Sequence, residues 1–298
     1  MSIHQKLSLT RAIAETDDAA RNAWTTFWRE QPTGSRCLQA ASGEVRNALG
    51  GHWKKLAARL PGNPQIVDLG CGSGVVGMQL LTAHIRATIT GVDAAQIAFP
   101  PRPRMKIHDN VYMESLPFPD AYFGAAVSQF GFEYSRTELA ALEVARVLKT
   151  GAALSLLVHH SESPIVKAEA EHERALRELT SDEVSVPFLS GHAVPLRRAL
   201  DCLEWRYHGN SAISLAAKCL RAKVALPEGA RATVWRAVLE ALAPELVLCG
   251  HLRSSCVSRE GIYDWMQPLR GCFRNLSASP LNLMGEPLAW AIEGVRAH

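Results

Sequence analysis

The stretch Ile66–Gly77, "IVDLGCGSGVVG", decides how the rest of the chain is read. An apolar run ends in Asp68, and four glycines follow within eight residues. Glycine loses more conformational freedom on folding than any other residue. Glycines this dense therefore mark a backbone that adopts left-handed angles or approaches something closely. A strand that ends in such a loop and runs into a helix is a way of presenting backbone N–H groups to a ligand.

The segments around it supply the frame. "QIVDLG" reads as a strand, "GVVGMQLLTAHI" as a helix, and "ATITGVDA" as a second strand rich in β-branched residues. "RMKIHD" is a short third strand, "AYFGAAVSQF" a fourth and "ALSLLVHH" a fifth. Between the last two, "SRTELAALEVARVLKTG" reads as a helix opened by a capping box of Ser135 with Glu138 and closed before Gly151. Strands alternating with helices predict an open parallel sheet covered on both faces. Such sheets bind ligands beyond the carboxyl ends of their strands.

Upstream, residues 1–60 read as a helical leader. Trp24, Phe27 and Trp28 share one helix face there, as core or as a wall of the site, and Pro61-Gly62 ends the leader. Downstream, 163–268 reads as a helical insertion, with a second capping box of Thr180 and Glu183. The segment 269–298 holds two strands around Gly285-Glu286. The expected fold is α/β: a Rossmann-like, seven-stranded, mostly parallel sheet with helices on both faces. Its core spans 61–162, and the helical insertion precedes the last two strands.

Composition narrows the function. The 298 residues are 47% hydrophobic with a formal charge of +3, which offers no electrostatic footprint for nucleic acid. No apolar run is long enough to span a bilayer, and the N-terminus lacks the apolar core of a signal peptide. A cytoplasmic protein is expected. Seven scattered cysteines without a C-x-x-C pair read as reduced thiols. Cys249, His251, Cys256 and Cys272 fit no standard metal spacing, so no metal is expected.

The glycine spelling alone also suits a dinucleotide fold. Two acids shift the reading. Asp68 sits in the strand end itself, and Asp93 ends the next strand about 20 residues on, where a carboxylate can accept from both ribose hydroxyls.

With those residues in view, the chain resembles the class I S-adenosylmethionine-dependent methyltransferases, and within them the branch of the ubiquinone and menaquinone enzymes. "VDLGCGSG" is similar to the family's first motif and "GVDAA" to its second. "LPFPDAYFGAAVSQFGFEY" is similar to the run through the fourth strand, and "ARVLKTGAALSLLVHH" to the helix and fifth strand. The resemblance covers about residues 45–160 and implies S-adenosylmethionine as cofactor. It implies that Gly70, Cys71 and Gly72 lie against the amino-acid end of the cofactor, with Asp68 ordering the loop. Asp93 would hold the ribose, and Ala94 and Ile97 would pack the adenine. The family's adenine acid falls here on Tyr112. That leaves Asp109 and Met113 as the nearby candidates, with Gln129 beside the fourth strand. The segment "AFPPRPR" is too short and proline-rich for the usual second crossover helix.

Methyl transfer asks the protein to align a nucleophile with the methyl and exclude water. A base helps when the nucleophile is a hydroxyl or an acidic carbon. The candidates are His159, His160 and Glu133, with Gln129 and Tyr134 nearby. In a strand the two histidines point to opposite faces, so one at most faces an acceptor. Trp235, Tyr263, Trp265 and Met266 in the insertion suggest a largely apolar small-molecule acceptor, or form that insertion's own core. The insertion would then close over the carboxyl ends of the strands. A nicotinamide oxidoreductase and a non-catalytic S-adenosylmethionine binder are the competing readings.

Overall fold

The computed structural model describes residues 18–31, 43–98, 100 and 102–297. The expectations for 1–17 and 32–42, Cys37 included, lie outside the described residues. The first helix, α1, covers 18–30 and carries Trp24, Phe27 and Trp28. Helix α2 (Gly43–Arg59) follows, and then β1 (Gln65–Leu69), α3 (Val75–Ala83), β2 (Thr88–Val92), β3 (Met105–His108) and β4 (Phe123–Gln129). A short 3-10 turn, Phe132–Tyr134, leads to α4 (Thr137–Val147) and β5 (Leu148–His159). Strands β6 (Phe273–Leu283) and β7 (Glu286–Arg296) close the chain.

The seven strands form one sheet in the order β3-β2-β1-β4-β5-β7-β6. β1 to β5 are parallel; β7 pairs antiparallel with both β5 and β6. This is the expected Rossmann-like sheet. The chain moves outward from β1 through β2 to β3, then returns to β4 on the other side of β1. The crevice between the β1 and β4 ends is therefore the switch point where such sheets take ligands. Among the described residues of 93–104 there is no helix.

Alternation along β1 distributes its side chains. Val67 and Leu69 enter the core layer that contains Phe123, Phe132 and Val144, while Ile66 enters the opposite layer with Trp53, Leu80 and Ile89. Asp68 shares the Ile66 face, and so its carboxylate is aimed at α3 rather than at water.

Neither expected capping box forms. Arg136 occupies the N-cap of α4 without a side-chain cap, and the Ser135 hydroxyl donates instead to Phe132 O at 2.7 Å. The 3-10 turn consumes Ser135, so the helix starts one residue later than the motif requires. Likewise Ser181 precedes the helix Asp182–Leu189, and Thr180 donates back to Leu176 O in the preceding helix.

The chain separates into two compact units, 1–167 with 251–298, and 168–250. The second unit is helical and has its own core of Leu176, Phe188, Leu200, Ile213, Leu220 and Trp235. It contains helices α6 (Asp182–Leu189), α7 (Ala193–Arg206) and α8 (Ser211–Lys223). Two helices cross its borders: α5 (Pro164–Leu179) and α9 (Glu228–Ser255), whose last residues from His251 belong to the first unit. The short helices α10 (Ile262–Trp265) and α11 (Gln267–Arg270) lie in the first unit. Among the described residues no helix is long and apolar enough to cross a membrane.

Candidate active site

The glycine loop after β1 is built on left-handed backbone. Gly70 has φ +63° and Gly72 φ +47°, angles at which a side chain is strained. Space is as restrictive as the angles. A Cβ on Gly70 would lie 3.0 Å from Gly131 Cα, because the ends of β1 and β4 abut there. A Cβ on Gly72 would lie 2.4 Å from Trp28 Cζ2, because the indole of α1 rests on that glycine.

Two carboxylates hold this loop. Asp68 is buried, and its Oδ2 accepts from the Gly77 N–H at 3.2 Å, which ties the strand end to the first turn of α3. Its Oδ1 is buried without a partner. Burial raises the Asp68 pKa to about 7, against the Gly77 hydrogen bond that lowers it, with the Asp93 charge adding to the rise. Asp93 ends β2. Its Oδ2 accepts from the Gly72 N–H and its Oδ1 from the Ala95 N–H, both at 2.9 Å. Burial raises its pKa to about 6, opposed by those two hydrogen bonds. Each Asp93 oxygen has used one lone pair and keeps another for a donor in the cavity.

That cavity has a volume of about 290 Å³ and lies at the switch point. Gly70, Asp93, Ala94 and Met113 line it together with Tyr134 and His251. Trp24 and Trp28 of α1 form a wall, their rings stacked at 6.1 Å between centroids. Trp24 and Trp28 are thus both packed and cavity-lining, while Phe27 is buried and lines neither cavity. A smaller space of about 60 Å³ adjoins the loop, bordered by Asp68, Cys71, Gly72, Gln129 and Phe130. Phe130 has φ +58°, costly for a bulky side chain, and its ring stacks on His159 with centroids 4.1 Å apart.

Residues 67–156 match the family described as a methyltransferase domain. The likeness to a methyltransferase domain thus runs from β1 into β5. No curated protein matches this chain. Many solved structures resemble it, and three serve as examples. One is a chain of the Haloferax volcanii complex between the Trm112 methyltransferase activator and a methyltransferase (23% identity, 45% of this chain and 64% of that one, TM-score 0.34). Another is an S-adenosylmethionine-dependent methyltransferase from Mesorhizobium loti (18% identity, 39% and 56%, TM-score 0.33). The third is the 1,6-didemethyltoxoflavin-N1-methyltransferase of Burkholderia thailandensis, solved with 1,6-didemethyltoxoflavin and S-adenosylhomocysteine (9% identity, 96% and 90%, TM-score 0.49). The chain spans less than two thirds of the length of the first two.

The residues of the matched span suit S-adenosylmethionine, the cofactor that the resemblance implies. Asp93 retains acceptor capacity at the cavity, and the loop backbone at Gly70 is bare. Of the expected cofactor residues, the structure brings Gly70, Asp93, Ala94 and Met113 to the larger cavity. Asp68, Cys71, Gly72 and Gln129 border the smaller one. The Cys71 thiol packs under the sheet, 2.7 Å from where a Gly91 Cβ would stand, and burial pushes its pKa up. The Gln129 side chain is held by the Trp53 Nε1–H at 2.8 Å. Asp109 and Ile97 line neither cavity. Asp109 acts at a distance, its charge adding to the rise at Asp93.

The acceptor-side expectations are distributed differently. Glu133 and His159 are both buried and paired: Glu133 Oε1 accepts from the His159 backbone N–H at 2.9 Å and lies 2.7 Å from its Nδ1. They stand behind Phe130 and Tyr134 and do not line the cavity. His160 points to the other face, as strand alternation requires. There its ring stacks on Trp290 at 4.7 Å, and its Nδ1 accepts from the Glu162 N–H. None of the four insertion residues lines the cavity either. Trp235 is in the core of the second unit, Trp265 and Met266 pack in a core layer of the first, and Tyr263 is exposed. His251 does reach it; the sequence offers this residue only within a cysteine–histidine set of no standard metal spacing, because no local motif ties a histidine so far downstream to the glycine loop.

The raised acid at Asp68 has a consequence for stability. In the unfolded chain this carboxyl titrates near 3.8; in the fold it titrates near 7. Between those values the folded state holds a proton that the unfolded state has lost. Stability from this group is therefore present at low pH and falls as pH rises toward 7. Asp68→Asn, which is always neutral, should stabilise the ligand-free protein at pH 8 by on the order of a few kcal/mol and change little at pH 5. Denaturant unfolding of both proteins at the two pH values checks this. Equal differences at both would mean that Asp68 is ionised throughout.

Proposed function

We propose that this protein is an S-adenosylmethionine-dependent methyltransferase acting on a small organic acceptor by in-line transfer to oxygen or carbon. The observation that carries this is one continuous cavity. It joins the nucleoside-side residues Gly70, Asp93 and Met113 to Tyr134 and His251, under a wall of Trp24 and Trp28. S-adenosylmethionine supplies the activated methyl. The chain binds its ribose through Asp93, bares the loop at Gly70 for its amino-acid end, and covers the site with indoles that keep water out.

The aromatic lining supports an acceptor with much apolar surface. Free thiols at six described cysteines suit a reducing, cytoplasmic setting. A cavity of about 290 Å³ suits a small metabolite.

The test is a screen of the purified protein with methyl-labelled S-adenosylmethionine and a cell-metabolite pool, with S-adenosylhomocysteine binding measured by calorimetry. Label transfer with binding supports the reading. Binding without transfer to any fraction would favour a non-catalytic binder. Absence of binding, with hydride transfer on adding a nicotinamide cofactor, would replace it with an oxidoreductase.

A further inference from the structure

The cavity lining divides into two groups. Gly70, Asp93, Ala94 and Met113 serve the nucleoside. The rest is dominated by a run of rings: Trp28 on Trp24, Trp24 against Tyr134 at 5.7 Å, and Tyr134 against His251 at 4.5 Å with the planes tilted by 43°. Tyr134 is braced from behind by the buried His159–Glu133 pair, with His159 6.1 Å from its ring. Flat walls of this kind select a flat, aromatic occupant, since offset and edge contacts between rings add to the area they bury.

The imidazole at the end of that run selects the group such a ring carries. Carboxylates are already ionised near neutral pH and need no base. Aliphatic hydroxyls are far less acidic, so their proton is a poorer match to imidazole. Phenolic hydroxyls, near 10 for tyrosine against about 6.5 for histidine, lie within reach of a positioned histidine.

We infer that His251 is the catalytic base for an aromatic hydroxyl seated against Trp24 and Tyr134. This rests on the methyltransferase reading above. The O–H proton passes to a ring nitrogen of His251, and the oxygen forms the new C–O bond. The S–CH3 bond breaks with its electron pair left on sulfur. The products are a methyl ether and the neutral thioether, and the imidazolium returns its proton to water. The charged and titratable groups sharing the cavity are Arg21, Asp93, Glu114, Tyr134 and Arg136. Arg21 pairs with Asp18 at 3.1 Å, and Glu114 accepts from the Arg136 backbone N–H at 2.7 Å. Asp93 is engaged by two backbone N–H groups. His251 is the imidazole among them.

The experiment uses the full chain loaded with S-adenosylhomocysteine and 4-nitrophenol as probe, whose phenolate band reports its ionisation. The expected result is binding with an increased phenolate fraction below neutral pH. In His251→Gln that increase should be lost while S-adenosylhomocysteine affinity is unchanged. His251→Phe, which preserves ring packing on Tyr134, repeats the test should the glutamine variant misfold. With an accepted phenol, either variant should lower kcat by roughly 10²–10⁴-fold and remove the acid limb of its pH profile. Failure of the loaded protein to bind 4-nitrophenol, or an equal phenolate increase in the variants, overturns the inference and leaves the cofactor reading standing. Failure of S-adenosylhomocysteine itself to bind overturns both.

Discussion

Asp93→Ala should weaken S-adenosylhomocysteine binding by about 100-fold or more. Two losses add. Hydrogen bonds to a charged acceptor contribute about 1.5–3 kcal/mol, and the ribose hydroxyls lose theirs. The Gly72 and Ala95 N–H groups also lose the oxygens that hold them at 2.9 Å, so the loop itself loosens. Asp93→Asn keeps one acceptor oxygen and should fall between, at roughly 10-fold. Calorimetric titration of the three proteins decides the matter; wild-type affinity in Asp93→Ala would remove the ribose role. The same carboxyl predicts a pH dependence. Its pKa near 6 in the free protein means that below pH 6 a proton occupies the acceptor. Affinity should therefore decline as pH falls through 6 and level off above it, and Asp93→Asn should lack that step.

Gly72→Val should be at least as damaging. At φ +47° a side chain costs about 1–2 kcal/mol, and overpacking adds about 1–3 kcal/mol more. The overlap is with rigid indole atoms, Cζ2 at 2.4 Å and Cη2 at 2.6 Å from the new Cβ, rather than with a flexible chain end. Relief requires either the loop or α1 to move, and both border the cavity proposed to take the cofactor. An affinity loss of about 100-fold or more in a chain that still unfolds cooperatively is the expected outcome. Trp28→Ala in the Gly72→Ala background should recover part of that smaller variant's loss, because it removes the overlap but not the backbone strain. Normal binding by Gly72→Val would mean that the glycines serve helix packing alone.

The parts of this protein that were legible in the sequence are those whose cause is local. The glycines after β1 announce a loop that needs left-handed angles, and Gly70 and Gly72 have them. Two-residue alternation places His159 and His160 on opposite faces, and they are. Asp68 and Asp93 stand at the ends of adjacent parallel strands, so both reach the same glycine loop, Asp68 at the Gly77 N–H and Asp93 at the Gly72 N–H. Motifs were less reliable where a neighbour competed for the same atoms. Ser135 spends its hydroxyl on Phe132 O, and the capping box it spells does not form.

What only the tertiary structure decided is which distant side chains share the cavity. Sequence chemistry nominated His159, but folding pairs it with Glu133 beneath Phe130 and Tyr134. His251 enters from the last turns of α9 and Trp28 from α1, elements separated from the glycine loop by other secondary structure. Periodicity tells which face of a helix is apolar but not against what that face comes to rest. That choice depends on long-range packing, which no local spacing encodes. The loop proposed to take the nucleoside was thus written in a dozen consecutive residues, whereas the surface that would meet an acceptor exists only once the chain has closed on itself.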